Sequence, residues 1–178
     1  MLPLFKSLIR PIVEYGNPVW SPYLRKHIDL IESVQRHFTK CIIGTKKLDY
    51  KNRLEFLGLP SLEFRRFRGD LIETYKICNG IYDPVTTSSL FDFNTSDKTR
   101  TNGLKLTKRA ANSNQYQNFF TNRVINHWNK LPTHVVRARS TNIFKNCIDK
   151  IFENLMYCTN INSMHWTMCF GIMNSNSE

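Results

Sequence analysis

Apolar residues return every three or four positions along several stretches of the chain, and each such stretch predicts a helix with one buried face. Leu4, Leu8 and Ile12 keep this spacing through residues 3–15, but Pro11 interrupts it, so a short helix followed by an extended turn through Pro18 and Pro22 is expected. Ile28, Ile31, Val34, Phe38, Cys41 and Ile42 share a stripe from His27 to Ile43, with Arg36 and Lys40 elsewhere and Gly44 placed to close the helix. Asp49 can cap a short helix carrying Leu54 and Leu57, which Gly58 and Pro60 end. Ser61 can cap a longer one, in which Leu62, Phe64, Phe67, Leu71, Tyr75 and Cys78 recur up to Gly80. Phe119, Phe120, Val124 and Trp128 mark a helix from Tyr116 that Pro132 stops, and their spacing places Phe120, Val124 and Trp128 in a core. A last helix starts after Ser140 or Thr141 and buries Phe144, Cys147, Ile148, Ile151 and Phe152.

Residues 81–115 break the pattern with Pro84, Gly103 and many Thr, Ser and Asn, and only Leu104 and Leu106 alternate as a short strand would. The expected fold is mainly α: a small helical bundle of about five or six helices with an irregular basic segment in the middle and a disordered tail. The expected divisions are residues 1–80, a linker or basic arm at 81–115, a helical pair at 116–153 and an irregular tail at 154–178. An apolar content of 41% with 12% aromatics, in 178 residues, is enough for a core and lies far from the composition of disordered chains.

Charge adds a function class. Lys and Arg number 25 against 14 Asp and Glu, and from Lys98 to Lys145 ten basic residues run without a single carboxylate. Residues 1–70 are basic but mixed, with thirteen basic and seven acidic side chains. A one-signed stretch attracts polyanions, because neutralising phosphates releases condensed counterions; the alternative is a solvated basic face. Arg65, Arg66 and Arg68 form a second cluster near a helix start, where positive charge opposes the helix dipole and calls for an anion or for the nearby Glu63, Asp70 and Glu73. The planar fork of arginine suits phosphate oxygens. The candidate phosphate contacts are therefore Arg65, Arg66, Arg68, Lys98, Arg100, Lys105, Lys108, Arg109, Arg123 and Lys130.

Other chemistries are poorly represented. Metal-dependent nucleotidyl transfer needs carboxylates close enough to share two cations. The seven Asp include no adjacent pair, and no Gly-Lys-Ser/Thr occurs to cradle a nucleotide. Cys158, His165 and Cys169 lie close together in the tail, but without a Cys-x2-Cys spacing they fall short of a zinc site, and no metal or cofactor is expected. Five widely spaced Cys suit reduced thiols in an intracellular protein, nuclear or cytoplasmic, with Cys41, Cys78 and Cys147 on buried helical faces. No apolar run reaches the length needed to span a bilayer, so no membrane partner is expected.

Several ordered segments resemble one family. Ser7-Leu8-Ile9-Arg10-Pro11-Ile12-Val13-Glu14-Tyr15, Pro18-Val19-Trp20-Ser21-Pro22 and Ile31-Glu32-Ser33-Val34-Gln35-Arg36 are followed by Tyr50-Lys51-Asn52-Arg53-Leu54 and Leu57-Gly58-Leu59-Pro60-Ser61-Leu62-Glu63. Then come Arg65-Arg66-Phe67-Arg68-Gly69-Asp70-Leu71-Ile72-Glu73-Thr74-Tyr75-Lys76, Phe119-Phe120, Asn122-Arg123-Val124, Trp128-Asn129-Lys130-Leu131-Pro132 and Phe144-Lys145. In this order they resemble the region downstream of the polymerase palm in jockey-like non-LTR retrotransposon reverse transcriptases, over about residues 1–152. Two departures stand out: Thr101-Asn102-Gly103 follow Thr99-Arg100 where the family usually has Gly-His, and the tail from about Asn154 matches no part of it.

In that family an apurinic-type endonuclease precedes a reverse transcriptase whose paired aspartates bind two metal ions, and this region follows. The resemblance implies a thumb-like opening that grips primer and template, then a helical region. It implies a non-catalytic C-terminal fragment of an RNA-directed DNA polymerase that contacts RNA or DNA through phosphates. The rivals are a helical protein-interaction module that docks on the rest of the reverse transcriptase, and a non-functional genomic remnant.

Overall fold

The computed structural model describes residues 1–83, 85, 89–94 and 104–161, and it is mainly α-helical. Helical residues run as Leu2–Leu4, a π-helical stretch Phe5–Ile9 and then Arg10–Glu14, together α1. Pro11 does not break this helix as its missing N–H suggested. The Arg10 N–H bonds back to the Phe5 carbonyl, five residues behind, and the widened turn sets Pro11 in the first turn of the resumed α-helix, where no donor is required of it. The Pro18 segment, expected as an extended turn, is instead one helical turn, α2 (Asn17–Trp20), entered through Gly16 at a left-handed φ of 65°.

Three longer helices follow: α3 (Arg25–Lys40), α4 (Tyr50–Leu57) and α5 (Leu62–Cys78). Gly58 closes α4 at φ 58°, while the Asp49 side chain makes no cap bond, contrary to its expected role. Ser61 does cap α5, its Oγ accepting from the Phe64 N–H at 3.1 Å. In the irregular middle, β1 (Asp92–Phe93) pairs antiparallel with β2 (Leu106–Thr107), Asp92 opposite Thr107 and Phe93 opposite Leu106. The single helix expected from Tyr116 is three short ones, α6 (Asn114–Gln117), α7 (Phe120–Arg123) and α8 (Ile125–Trp128), because Phe119 adopts an extended backbone between the first two. Then come α9 (Thr133–Val136), α10 (Thr141–Ile151) and a 3-10 turn, Glu153–Leu155.

The chain divides into two units. One comprises Met1–Phe67 with Asp149–Glu178, of which 162–178 lie outside the described residues; the other is Arg68–Ile148. In the first unit Phe5 stacks on Phe38, ring centroids 4.4 Å apart, and Phe67 meets the edge of Phe152 at 5.2 Å. The residues after α10 are tied to the start of α5: the Ser61 N–H donates to the Met156 carbonyl at 2.9 Å, the Ser61 hydroxyl to the Cys158 carbonyl at 2.7 Å, and the Ile161 N–H to Glu63 Oε1 at 3.1 Å. In the second unit Tyr75 stacks on Phe144 at 4.4 Å and Trp128 lies against the same ring at 6.0 Å. Phe120, Val124 and Trp128 are buried, as their spacing required.

The buried face of α3 is not the apolar stripe. Ile28 is buried, but Val34 and Cys41 are exposed, and the other fully enclosed positions are Glu32, Gln35 and Thr39. These four recur at helical spacing, and each polar one has a partner across the unit. Glu32 accepts from three donors, Gln35 Nε2 donates to the Pro60 carbonyl at 3.0 Å, and the Thr39 hydroxyl accepts from Arg53 Nε at 3.3 Å. Cys41 falls outside the buried face because the helix ends one residue before it; Cys78 and Cys147 are half-buried rather than enclosed. Burial pushes the Cys78 thiol up to about 12.

Candidate nucleic-acid interface

Most of the arginines expected at phosphate are engaged within the fold. Arg65 binds both oxygens of Glu14, through Nε to Oε1 and through Nη2 to Oε2 at 2.8 Å. Arg66 is only 3% exposed, and Arg68 is half-buried on α5. Arg123 makes a two-pronged pair with Asp70, Nε to Oδ2 at 2.8 Å and Nη2 to Oδ1 at 2.9 Å, and its Nη1 donates to the Asn118 carbonyl at 3.2 Å. Arg109 pairs in the same way with Asp92, at 2.7 and 3.1 Å, on an exposed surface. The positive cluster at the start of α5 is thus met by acids from elsewhere, Glu14 and the buried Glu32, while Glu63 goes to Arg25 at 2.9 Å and Glu73 to Lys76 at 2.7 Å. Lys98 and Arg100 lie outside the described residues.

Three of the candidate lysines come together in the second unit. Asn129 clamps β2 with a reciprocal pair, its Oδ1 accepting from the Leu106 N–H at 2.9 Å and its Nδ2 donating to the Leu106 carbonyl at 2.8 Å. One residue before it, the buried Trp128 donates from Nε1 to the Leu104 carbonyl at 2.8 Å. These bonds fix residues 104–108 beside the end of α8. Lys105 and Lys108 are thereby carried next to Lys130, with Lys108 and Lys130 exposed and Lys105 half-buried. Among the described residues no ion pair joins Lys105 or Lys108 to a carboxylate.

His127 reports the resulting field. Burial pushes its imidazole down to about 4, and the charges of Lys130 and Lys108 push in the same direction. It is neutral in the folded protein at any pH well above that, whereas an unfolded histidine titrates at 6.5. A depressed folded value means that the unfolded chain binds more protons between those limits. The contribution is therefore fully present above about pH 6.5 and is lost as pH falls toward 4, a swing on the order of 3 kcal/mol. The test is the denaturant midpoint of the wild type and of His127→Gln followed from pH 7 to 4.5: the gap between them should narrow steadily on acidification, and a constant gap would refute the assignment.

The first unit carries a different surface. Leu4, Leu8, Ile12, Tyr15, Val19 and Trp20 are all exposed, Ile12 and Val19 at 76% each, so the apolar spacing read along residues 3–15 turns outward. A shallow depression lined by Leu2, Pro3, Lys6 and Ser7 opens on the same segment. Among the described residues no group of His, Cys, Asp and Glu is arranged to hold a metal; His165 and Cys169, weighed above for zinc, lie outside them. No helix among the described residues is long and apolar enough to cross a membrane. Sequence reasoning missed the residues that build the lysine locus, Asn129 and Trp128, because an Asn or Trp that hydrogen-bonds a distant backbone has no local signature. No family model matches the chain, and neither curated proteins nor solved structures provide a match.

Proposed function

We propose that this chain is a non-catalytic helical module of a retrotransposon RNA-directed DNA polymerase that holds RNA or DNA by contact with phosphates. The carrying observation is that the Asn129–Leu106 clamp brings Lys105 and the exposed Lys108 beside the exposed Lys130, so that three cations share one surface. Lysine acts on a phosphodiester as a mobile point charge, so the binding is electrostatic and largely indifferent to sequence. Arg109 belongs to the same reading, since its pair with Asp92 lies in solvent, where such pairs are weak and a phosphate can exchange for the carboxylate.

The experiment is binding of the purified chain to single-stranded RNA and to duplex DNA across a salt series. Affinity should fall linearly in log salt, and Lys105→Gln, Lys108→Gln and Lys130→Gln should each lower the slope by about 0.7 on a single strand or 0.9 on a duplex. Folded protein that binds neither at low salt would overturn the reading. The same preparation should extend no primer with Mg²⁺; nucleotide incorporation would overturn the non-catalytic part.

A second role is favoured by the outward apolar face of residues 2–20. Contiguous exposed apolar surface of this kind marks an interaction site. We infer that it docks on the remainder of a reverse transcriptase, and replacing Leu8, Ile12 and Val19 by Ser should leave the fold intact while improving solubility of the isolated chain.

A further inference from the structure

We propose that the loop joining α3 to α4 is a second phosphate-contacting surface, presented by Lys40, Lys46 and Lys47; it rests on the nucleic-acid reading above but uses neither its residues nor its unit. The basic surplus of residues 1–70 looked mixed in sequence, yet between Ser33 and Leu54 the only carboxylate is Asp49. Lys40, Lys46 and Lys47 are all exposed and, among the described residues, make no ion pair. Lys51, by contrast, lies 3.8 Å from Glu55.

What separates these lysines from an ordinary solvated face is the way the loop beneath them is held. Thr45 is fully buried, and its hydroxyl donates to the Thr39 carbonyl at 2.6 Å, with the Ile42 carbonyl at 2.9 Å, folding the loop back on the end of α3. From the other side the buried Arg53 reaches out of α4, donating from Nη1 to the Leu48 carbonyl at 2.6 Å and from Nε to the Thr39 hydroxyl. Gly44 makes the reversal at φ 88°, a conformation open to glycine and costly for other residues. Two buried side chains therefore fix the backbone on which Lys46 and Lys47 stand, so less conformational freedom is lost when a rigid polyanion docks. Lys40 has a partial structural reason for its place, since a cation in the last turn offsets the helix dipole. Lys46 and Lys47 have no such reason.

The test compares the wild type with a Lys40→Gln/Lys46→Gln/Lys47→Gln variant on duplex DNA over a salt series. The expected result is a slope lower by about 2–3 and an affinity near 0.1 M salt reduced more than roughly tenfold, with the denaturant midpoint unchanged. Single variants, each expected to lower the slope by about 0.9, serve if the triple variant is poorly behaved. An unchanged slope in the loop variants, while the Lys105, Lys108 and Lys130 variants lower it, overturns this proposal and leaves the earlier one standing. Loss of binding to anionic vesicles instead would reassign the loop to a membrane surface and overturn it equally. Absence of any binding by the folded wild type overturns both.

Discussion

Glu32→Ala is expected to destabilise the protein by about 3–5 kcal/mol, read as a large fall in the denaturant midpoint with little change in the native helical signal. Glu32 has no exposed surface. Its Oε1 accepts from the Tyr50 hydroxyl at 2.5 Å and from the Leu62 N–H at 3.2 Å, and its Oε2 accepts from the Glu63 N–H at 3.1 Å. Leu62 and Glu63 open α5, so a side chain from α3 satisfies two of the backbone donors that every helix start leaves unpaired, while Ser61 satisfies the Phe64 N–H. Alanine would strand three donors in a space closed to water, and each buried unsatisfied group costs about 1–3 kcal/mol. Burial pushes the Glu32 carboxyl up, against the pull of the Tyr50, Leu62 and Glu63 hydrogen bonds and of the Arg66 charge. Glu32→Gln, isosteric with the protonated acid, keeps one acceptor and is expected to cost roughly half as much. An alanine variant within about 1 kcal/mol of wild type would show that the enclosed carboxylate is not what seats α5.

This cap also shows which parts of the fold the sequence discloses. The helices around Leu54, Leu71 and Phe144 are where apolar spacing puts them, because burying one face is a local, periodic demand. The polar stripe of Glu32, Gln35 and Thr39 was invisible for the opposite reason: each residue is buried to satisfy a group 14 to 31 positions away, and such pairing leaves no period. Pro11 misled in a third way, since the rule that proline ends a helix assumes α-spacing, and the π-turn ahead of it removes the conflict. The same division runs through the candidate site. A basic surplus is legible in composition, but which cations remain free for a partner depends on where the carboxylates fold to. Glu14 and Asp70 take Arg65 and Arg123, whereas among the described residues nothing comparable reaches Lys46 and Lys47.

Asp70→Ala is expected to cost about 3–5 kcal/mol, because it breaks an enclosed ion pair by removing one partner. Asp70 comes from Arg65-Arg66-Phe67-Arg68-Gly69-Asp70 and Arg123 from Asn122-Arg123-Val124, and the two meet in a fork-to-fork pair whose side chains are largely enclosed. The guanidinium carbon lies over the Phe120 ring, 5.8 Å from its centroid, so removing the acid leaves a largely enclosed cation without its carboxylate. Arg123→Met should cost less than Asp70→Ala, because a flexible apolar side chain fills the space and the carboxylate it leaves can take up a proton, whereas the guanidinium stranded by Asp70→Ala stays charged. The double variant should fall well short of the sum of the two, and a double-mutant cycle returning under about 0.5 kcal/mol would mean that the pair is incidental. The same variants bear on nucleic acid. Unlike the exposed Arg109, Arg123 is held by two prongs on a carboxylate within a largely enclosed pair, so Arg123→Met should lower stability and leave the salt slope of binding unchanged, the reverse of what is expected at Lys130. A slope lowered by about 0.9 in a folded Arg123→Met protein would mean that Arg123 leaves Asp70 for phosphate on binding, making that pair part of the interface rather than of the scaffold.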